Sequence, residues 1–136
     1  MKTYLIDTNI FLEVLLSGPR KKECKHLLQL LRDGRKSGLV TDFSVHSIVV
    51  IMDRFGKLKE LRTFLLSLLA YDGLHVYPTT IGDKVRAVEV ALEQHLDMDD
   101  AIQYSSALSA EADAIVSFDK HFNDLKVPRL EPIDIT

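Results

Sequence analysis

Two hydrophobic periodicities take turns along the chain. Thr3 to Ile6 is a short run without polar alternation, which predicts a strand buried on both faces, as in a parallel sheet. Ile10, Phe11, Val14 and Leu15 then recur at helical spacing and stop before Gly18-Pro19, with Thr8 or Asn9 expected as the cap. A second helix is expected from Arg20 to about Arg35, with Cys24, Leu27, Leu28 and Leu31 on one face and Gly34 and Gly38 closing it. Leu39-Val40-Thr41 is a minimal second strand. Asp42 or Ser44 is expected to cap a third helix whose stripe is Val45, Ile48, Val49, Met52 and Phe55, ending at Gly56. Lys57 to Ala70 reads as a fourth helix. Its end, Phe64 to Leu69, is apolar nearly all round, which suits a helix buried on two sides, by the core or by a second subunit. Asp72-Gly73 turns the chain into a third strand, His75-Val76-Tyr77, ended by Pro78. Thr80 starts a fifth helix with Ile81, Val85, Val88 and Leu92 on one face.

The stretch Leu96 to Asp119 organises the rest. Asp97, Asp99 and Asp100 crowd a helix start, small residues (Ser105, Ser106, Ala107, Ser109, Ala110) fill the helix, and Ala114 to Ser117 is a buried strand with Asp119 just past its end. Lys120 to Asn123 is loop-like. The tail from Arg129 to Ile135 is expected to add an edge strand, kept from the sheet centre by Pro128 and Pro132. Strands alternating with helices predict an α/β fold with a parallel sheet, in which ligands sit beyond the carboxyl ends of the strands.

At 136 residues, 46% hydrophobic and 27% charged, the chain is expected to form one globular domain over residues 1–136. No apolar run approaches the roughly 18 residues of a membrane span, and no signal-peptide pattern precedes Asp7. A lone Cys24 makes no internal disulfide. These features predict a cytoplasmic protein with no membrane partner. The net charge of −3 gives no global attraction to nucleic acid, so an RNA partner needs local basic patches. Arg20-Lys21-Lys22 with Lys25, and Arg54, Lys57, Lys59 and Arg62, are the candidates, each better explained, taken alone, as a solvated helix face.

Asp7 and Asp119 end strands by this reading, and Asp100 opens the helix leading into the second. Singly, each is explained by a cap or a turn. Together they point to one metal site, because converging carboxylates raise each other's pKa unless a cation neutralises them. An all-oxygen set favours Mg²⁺ or Mn²⁺, ions that support phosphoryl transfer. The five histidines (26, 46, 75, 95, 121) are scattered and show no zinc spacing, and no Gly-rich phosphate loop or G-x-S-x-G is present. A phosphoaspartate receiver would need an acidic pair near the first strand; Asp7 stands alone there, and Lys120 follows Asp119 directly.

The pieces YLIDTNIF, DDAIQYSSAL and ADAIVSFDKHF, in this order and spacing, resemble PIN domains, the metal-dependent ribonuclease fold that includes VapC-type toxins. The resemblance covers essentially the whole chain. It implies a three-layer α/β/α fold around a five-stranded parallel sheet, often dimeric, cutting single-stranded RNA and, in toxins, held by an antitoxin protein. Residue by residue it carries the family's metal-binding acids onto Asp7, Asp100 and Asp119, and its small polar positions onto Thr8, Asn9 and Ser117. One position departs. Where the family has a Glu early in the helix after the second strand, this chain has Ser47 or, with a shift, His46. Asp42, Asp97 and Asp99 are the acids available to substitute. The departure leaves a second reading, a non-catalytic PIN-like module that binds RNA or protein.

Overall fold

The computed structural model describes residues 1–136, in the order β1 (Thr3–Ile6), α1 (Thr8–Leu15), α2 (Lys21–Arg32), β2 (Ser37–Thr41), α3 (Asp42–Arg54), α4 (Leu58–Leu68), β3 (Leu74–Tyr77), α5 (Ile81–Gln94), α6 (Met98–Ser109), β4 (Ala114–Val116), β5 (Arg129–Leu130) and α7 (Pro132–Ile135). A short 3-10 turn, Lys120–Phe122, follows β4. The five strands form one all-parallel sheet in the order β3-β2-β1-β4-β5.

The central strands show why their sequences lack polar alternation. Tyr4 and Ile6 of β1, with Ala114 and Val116 of β4, face a core built with α1, α2, α3 and α4. Leu5 and Ile115 face the opposite side, against Tyr104 and Ala107 of α6 and Phe122. Both faces are covered, giving the three-layer α/β/α arrangement. Leu5 and Ile115 are wholly inaccessible to solvent, and each contributes roughly 1.5–3 kcal/mol by burial. Cys24 is buried in the larger core, which pushes its thiol pKa up to about 12 and makes it a packing residue. No helix is long and apolar enough to cross a membrane.

Several expectations are corrected. The cap of α1 is Asp7, whose carboxylate accepts from Thr8 N, rather than Thr8 or Asn9. The cap of α3 is Thr41, accepting from Ser44 N, rather than Asp42 or Ser44. In both cases the last strand residue or its successor is still extended and already owns a side-chain acceptor, so it takes the orphan N–H groups first. On α5, Ile81, Val85, Val88 and Leu92 face solvent rather than the core. The buried side is Asp83, which accepts from Ser109 Oγ of α6, and Ala87, packed on Ala101 and Ile102, where small residues allow the two helices to approach closely. On α4, Leu61 and Phe64 are buried while Leu58, Leu66 and Leu69 are exposed, so the chain itself covers one side of this helix. The tail is a strand only at Arg129–Leu130 and then a helical turn, with Pro132 at its start. At the Asp72-Gly73 turn a side chain is impossible, because a Cβ on Gly73 would run into the carbonyl oxygen of Lys36.

Candidate metal centre

The strand order reverses between β1 and β4, the two strands whose carboxyl ends carry Asp7 and Ser117. An open sheet has its natural crevice at such a point. A cavity of about 410 Å³ lies there, lined by Asp7, Thr8, Asn9, Phe43, His46, Ser47, Val50, Ile51, Asp97, Asp99, Asp100, Gln103 and Asp119. It contains five acids and neither lysine nor arginine.

Of these five acids Asp7 is the most deeply set, 6% exposed. Its Oδ2 accepts from Ser117 Oγ at 2.7 Å, and its Oδ1 accepts from Thr8 N at 2.8 Å and Gln103 Nε2 at 3.1 Å. Burial pushes its pKa upward; the donors at Ser117, Gln103 and Thr8 pull against this, and the charge of Asp119 adds to the rise. The same Gln103 donates to Ser44 Oγ at 2.8 Å and accepts from Thr41 Oγ1 at 2.9 Å. Thr8 Oγ1 donates to Ser44 Oγ, also at 2.8 Å. A buried polar lattice from β2, α3 and α6 therefore fixes the carboxylate of β1, with its amide –NH₂ turned to the acceptor-only oxygen.

Asp100 and Asp119 form the outer part. Asp97 caps α6 by accepting from Asp100 N at 2.9 Å, which sets Asp100 in the first helical turn, facing inward and 8% exposed. Asp119 N donates to Ser117 Oγ at 2.9 Å, so one hydroxyl ties the acid after β4 to the acid after β1. Burial and the negative charges of Asp119 and Asp97 push Asp100 up to about 7, against the pull of His121. His121 Nδ1 lies 3.2 Å from Asp100 Oδ2 and 3.2 Å from Asp119 Oδ1. Ligand atoms of Asp100, Asp119 and His121 all fall within 4.8 Å of one another. Crowded, partly buried carboxylates are the donor set a hard divalent cation neutralises, so these residues fit such an ion.

The structure thus gathers Asp7, Asp100 and Asp119 on one cavity, with Thr8 and Ser117 bonded to Asp7. Asn9 is exposed on its wall. Asp97 and Asp99 line it too, the former engaged as a cap. Asp42 is not among the lining residues; its Oδ1 accepts from Thr79 N and Thr79 Oγ1. Ser47 and His46 both reach the cavity, and Ser47 Oγ donates to Phe43 O at 3.0 Å. The sequence reading missed Gln103, Ser44, Thr41 and His121. Gln103 had one available signal, its i+3 spacing from Asp100 on a helix of otherwise small and apolar residues.

A family model described as PIN domain matches residues 4–128. No curated protein matches the chain at a significant level. Among solved structures, a toxin-antitoxin complex from Klebsiella pneumoniae superposes with a TM-score of 0.69 at 20% identity, covering 95% of this chain and 97% of that one. VapC20 of Mycobacterium tuberculosis, a sarcin-ricin loop cleaving toxin, gives 0.75 at 14% identity, covering 95% and 99%. VapBC2 from Rickettsia felis, bound to a DNA fragment from its promoter, gives 0.70 at 16% identity, covering 95% and 97%. At these identities the likeness is one of fold.

Proposed function

The chain belongs to the PIN-domain family, and on that premise we propose that it is a metal-dependent endoribonuclease cleaving single-stranded RNA, and the toxin of a toxin-antitoxin pair. The observation that carries the reading is a single cavity at the sheet's switch point lined by Asp7, Asp100 and Asp119, with Asp100 pushed up to about 7 by burial and its neighbours. In this reading Asp100 and Asp119 hold Mg²⁺ or Mn²⁺ and Asp7 completes the acidic wall. The cation, when bound, supplies a Lewis acid for the phosphoryl oxygens of an in-line displacement. Asp7 keeps its orientation through Ser117, Gln103 and Thr8 N, so the site needs no reorganisation when substrate arrives. Asn9 stands exposed on the wall, and in this reading its amide contacts the substrate backbone.

The toxin role and an antitoxin partner are supported by the fold-level likeness to toxin and toxin-antitoxin structures. Self-association through the α3–α4 surface is supported by the exposed Phe55, Leu58, Leu66 and Leu69. The second reading, a non-catalytic module binding RNA or protein, is favoured by one observation, the absence of an acid at Ser47 and His46. One experiment separates them. Purified protein is incubated with single-stranded RNA and Mn²⁺ or Mg²⁺, with EDTA and Asp100→Asn as controls. Cleavage lost in both controls supports the nuclease; a wild-type protein that binds Mn²⁺ but cuts no RNA supports the module.

A further inference from the structure

We infer that His121 is a ligand of the divalent ion, taking over the role of the acid missing from α3, and that it tilts the site towards Mn²⁺ and away from Mg²⁺. The inference rests on the reading of this cavity as a divalent-metal centre and goes beyond it in naming a nitrogen donor. His121 Nδ1 is equidistant, at 3.2 Å, from one oxygen of Asp100 and one of Asp119, so it occupies a corner of the same small triangle. No other histidine has such a position; His46 lines the cavity wall but is not one of these three converging groups.

Local sequence explains why the ring is there. Asp119 Oδ1 accepts from His121 N at 2.9 Å and caps the 3-10 turn, pinning the His121 backbone next to the acid. The following residue, Phe122, is wholly buried in the core under β4 and α6, which anchors the turn from below. The side chain of His121 is 73% exposed, so neither packing nor burial accounts for its aim. Its two contacts with carboxylate oxygens do.

The chemistry then follows from the missing acid. The α3 position that carries a Glu in the family falls at Ser47 or, with a shift, at His46, neither of them an acid, and the Ser47 hydroxyl is committed to Phe43 O. Two carboxylates and an imidazole make a mixed oxygen–nitrogen set. Mg²⁺ binds through oxygen and gives up its waters reluctantly, whereas imidazole nitrogen suits first-row transition ions; Mn²⁺, the hardest of these, also suits carboxylate and so fits both parts of the set.

The test uses the full chain loaded with Mn²⁺ alone, without RNA. Electron spin-echo modulation of the bound Mn²⁺ reports a directly coordinated nitrogen. Wild type is expected to show the nitrogen modulation, His121→Ala to lose it and His46→Gln to keep it. His121→Ala should also weaken Mn²⁺ binding by about tenfold or more, the least a lost outer-shell partner costs, and Mg²⁺ binding by much less. Because the ring is exposed, the variant should melt like wild type, which thermal scanning checks. Loaded wild type without nitrogen modulation, or modulation surviving in His121→Ala, overturns the inference and leaves the nuclease reading standing. Nitrogen-ligated Mn²⁺ in a protein that cuts no RNA does the reverse.

Discussion

The Ser117 hydroxyl donates to Asp7 Oδ2 at 2.7 Å across the seam between β4 and β1. Its oxygen simultaneously accepts Asp119 N, so a single side chain sets the spacing of two acids on adjacent strand ends. Ser117→Ala removes the donor from a carboxylate that burial already pushes towards protonation. We expect a stability loss of roughly 1–3 kcal/mol, the cost of an unsatisfied buried polar group. Cleavage should fall about 10–100-fold, as for other partners that orient a metal-binding group. Urea melts and a metal titration of activity measure the two effects. A variant with wild-type metal dependence would mean that the hydroxyl only packs.

Asp100 supplies the pH prediction. Its carboxyl is raised from 3.8 to about 7 in the fold by burial and by the charges of Asp119 and Asp97. A raised acid favours the protonated folded state, so without metal its contribution is neutral below about pH 4 and increasingly destabilising as pH climbs to about 7. Asp100→Asn removes this penalty at the cost of a smaller first-turn dipole interaction. In EDTA the variant should match wild type near pH 4, melt progressively higher between pH 4 and 7, and hold a constant lead above that. Adding Mn²⁺ should erase the lead by stabilising wild type alone. An Asn variant that melts lower than wild type at pH 8 in EDTA counts against the carboxylate crowding.

The sheet and the acids were legible because they are written in local pattern. β1 and β4 lack alternation, and each is followed by an acid or leads to one within three residues. Asp97 was readable as a cap of α6 by its place before a helical run. What was not legible depends on distance along the chain. Gln103 meets Asp7 across 96 residues and His121 meets Asp100 across 21; only the i+3 spacing of Gln103 from Asp100 hints at the first contact, and no local signal announces the second. The face of α5 was misread because large apolar residues at helical spacing predict burial, yet Ala87 lets α6 approach the other side. Size marks what is hydrophobic; close approach is decided by what is small.

On α4 and its C-cap the same logic leaves Leu58, Leu66 and Leu69 uncovered, with Leu69 85% exposed, and Phe55, the C-cap of α3, is exposed as well. Replacing Leu66 and Leu69 by Glu should leave the fold intact, since both side chains already face solvent, with a stability change within about 0.5 kcal/mol per site. Sedimentation of wild type at micromolar concentration should show self-association that the double variant lacks. A wild type that sediments as a monomer throughout this range removes self-association from the account and leaves α4 to another partner.

Ser47, on α3, lines the same cavity as Asp7, Asp100 and Asp119. Its hydroxyl donates back to Phe43 O, four residues earlier, and so offers the cavity little. Ser47→Glu adds a carboxylate where the acid set is short. Carboxylates displace waters from Mg²⁺ and hold it more tightly, so half-maximal cleavage should need less Mg²⁺ or Mn²⁺. The larger gain is expected for Mg²⁺, because the new ligand is oxygen and Mg²⁺ profits least from His121. In EDTA the added charge should instead lower the melting temperature at neutral pH, since one more anion joins a group whose members already repel. Opposite signs with and without metal are what a new ligand produces; a surface helix residue would shift neither. Metal titrations of cleavage, paired with melts in EDTA, decide it. A folded Ser47→Glu protein with unchanged metal dependence means that Asp97, Asp99 or His121 already fills the vacant role.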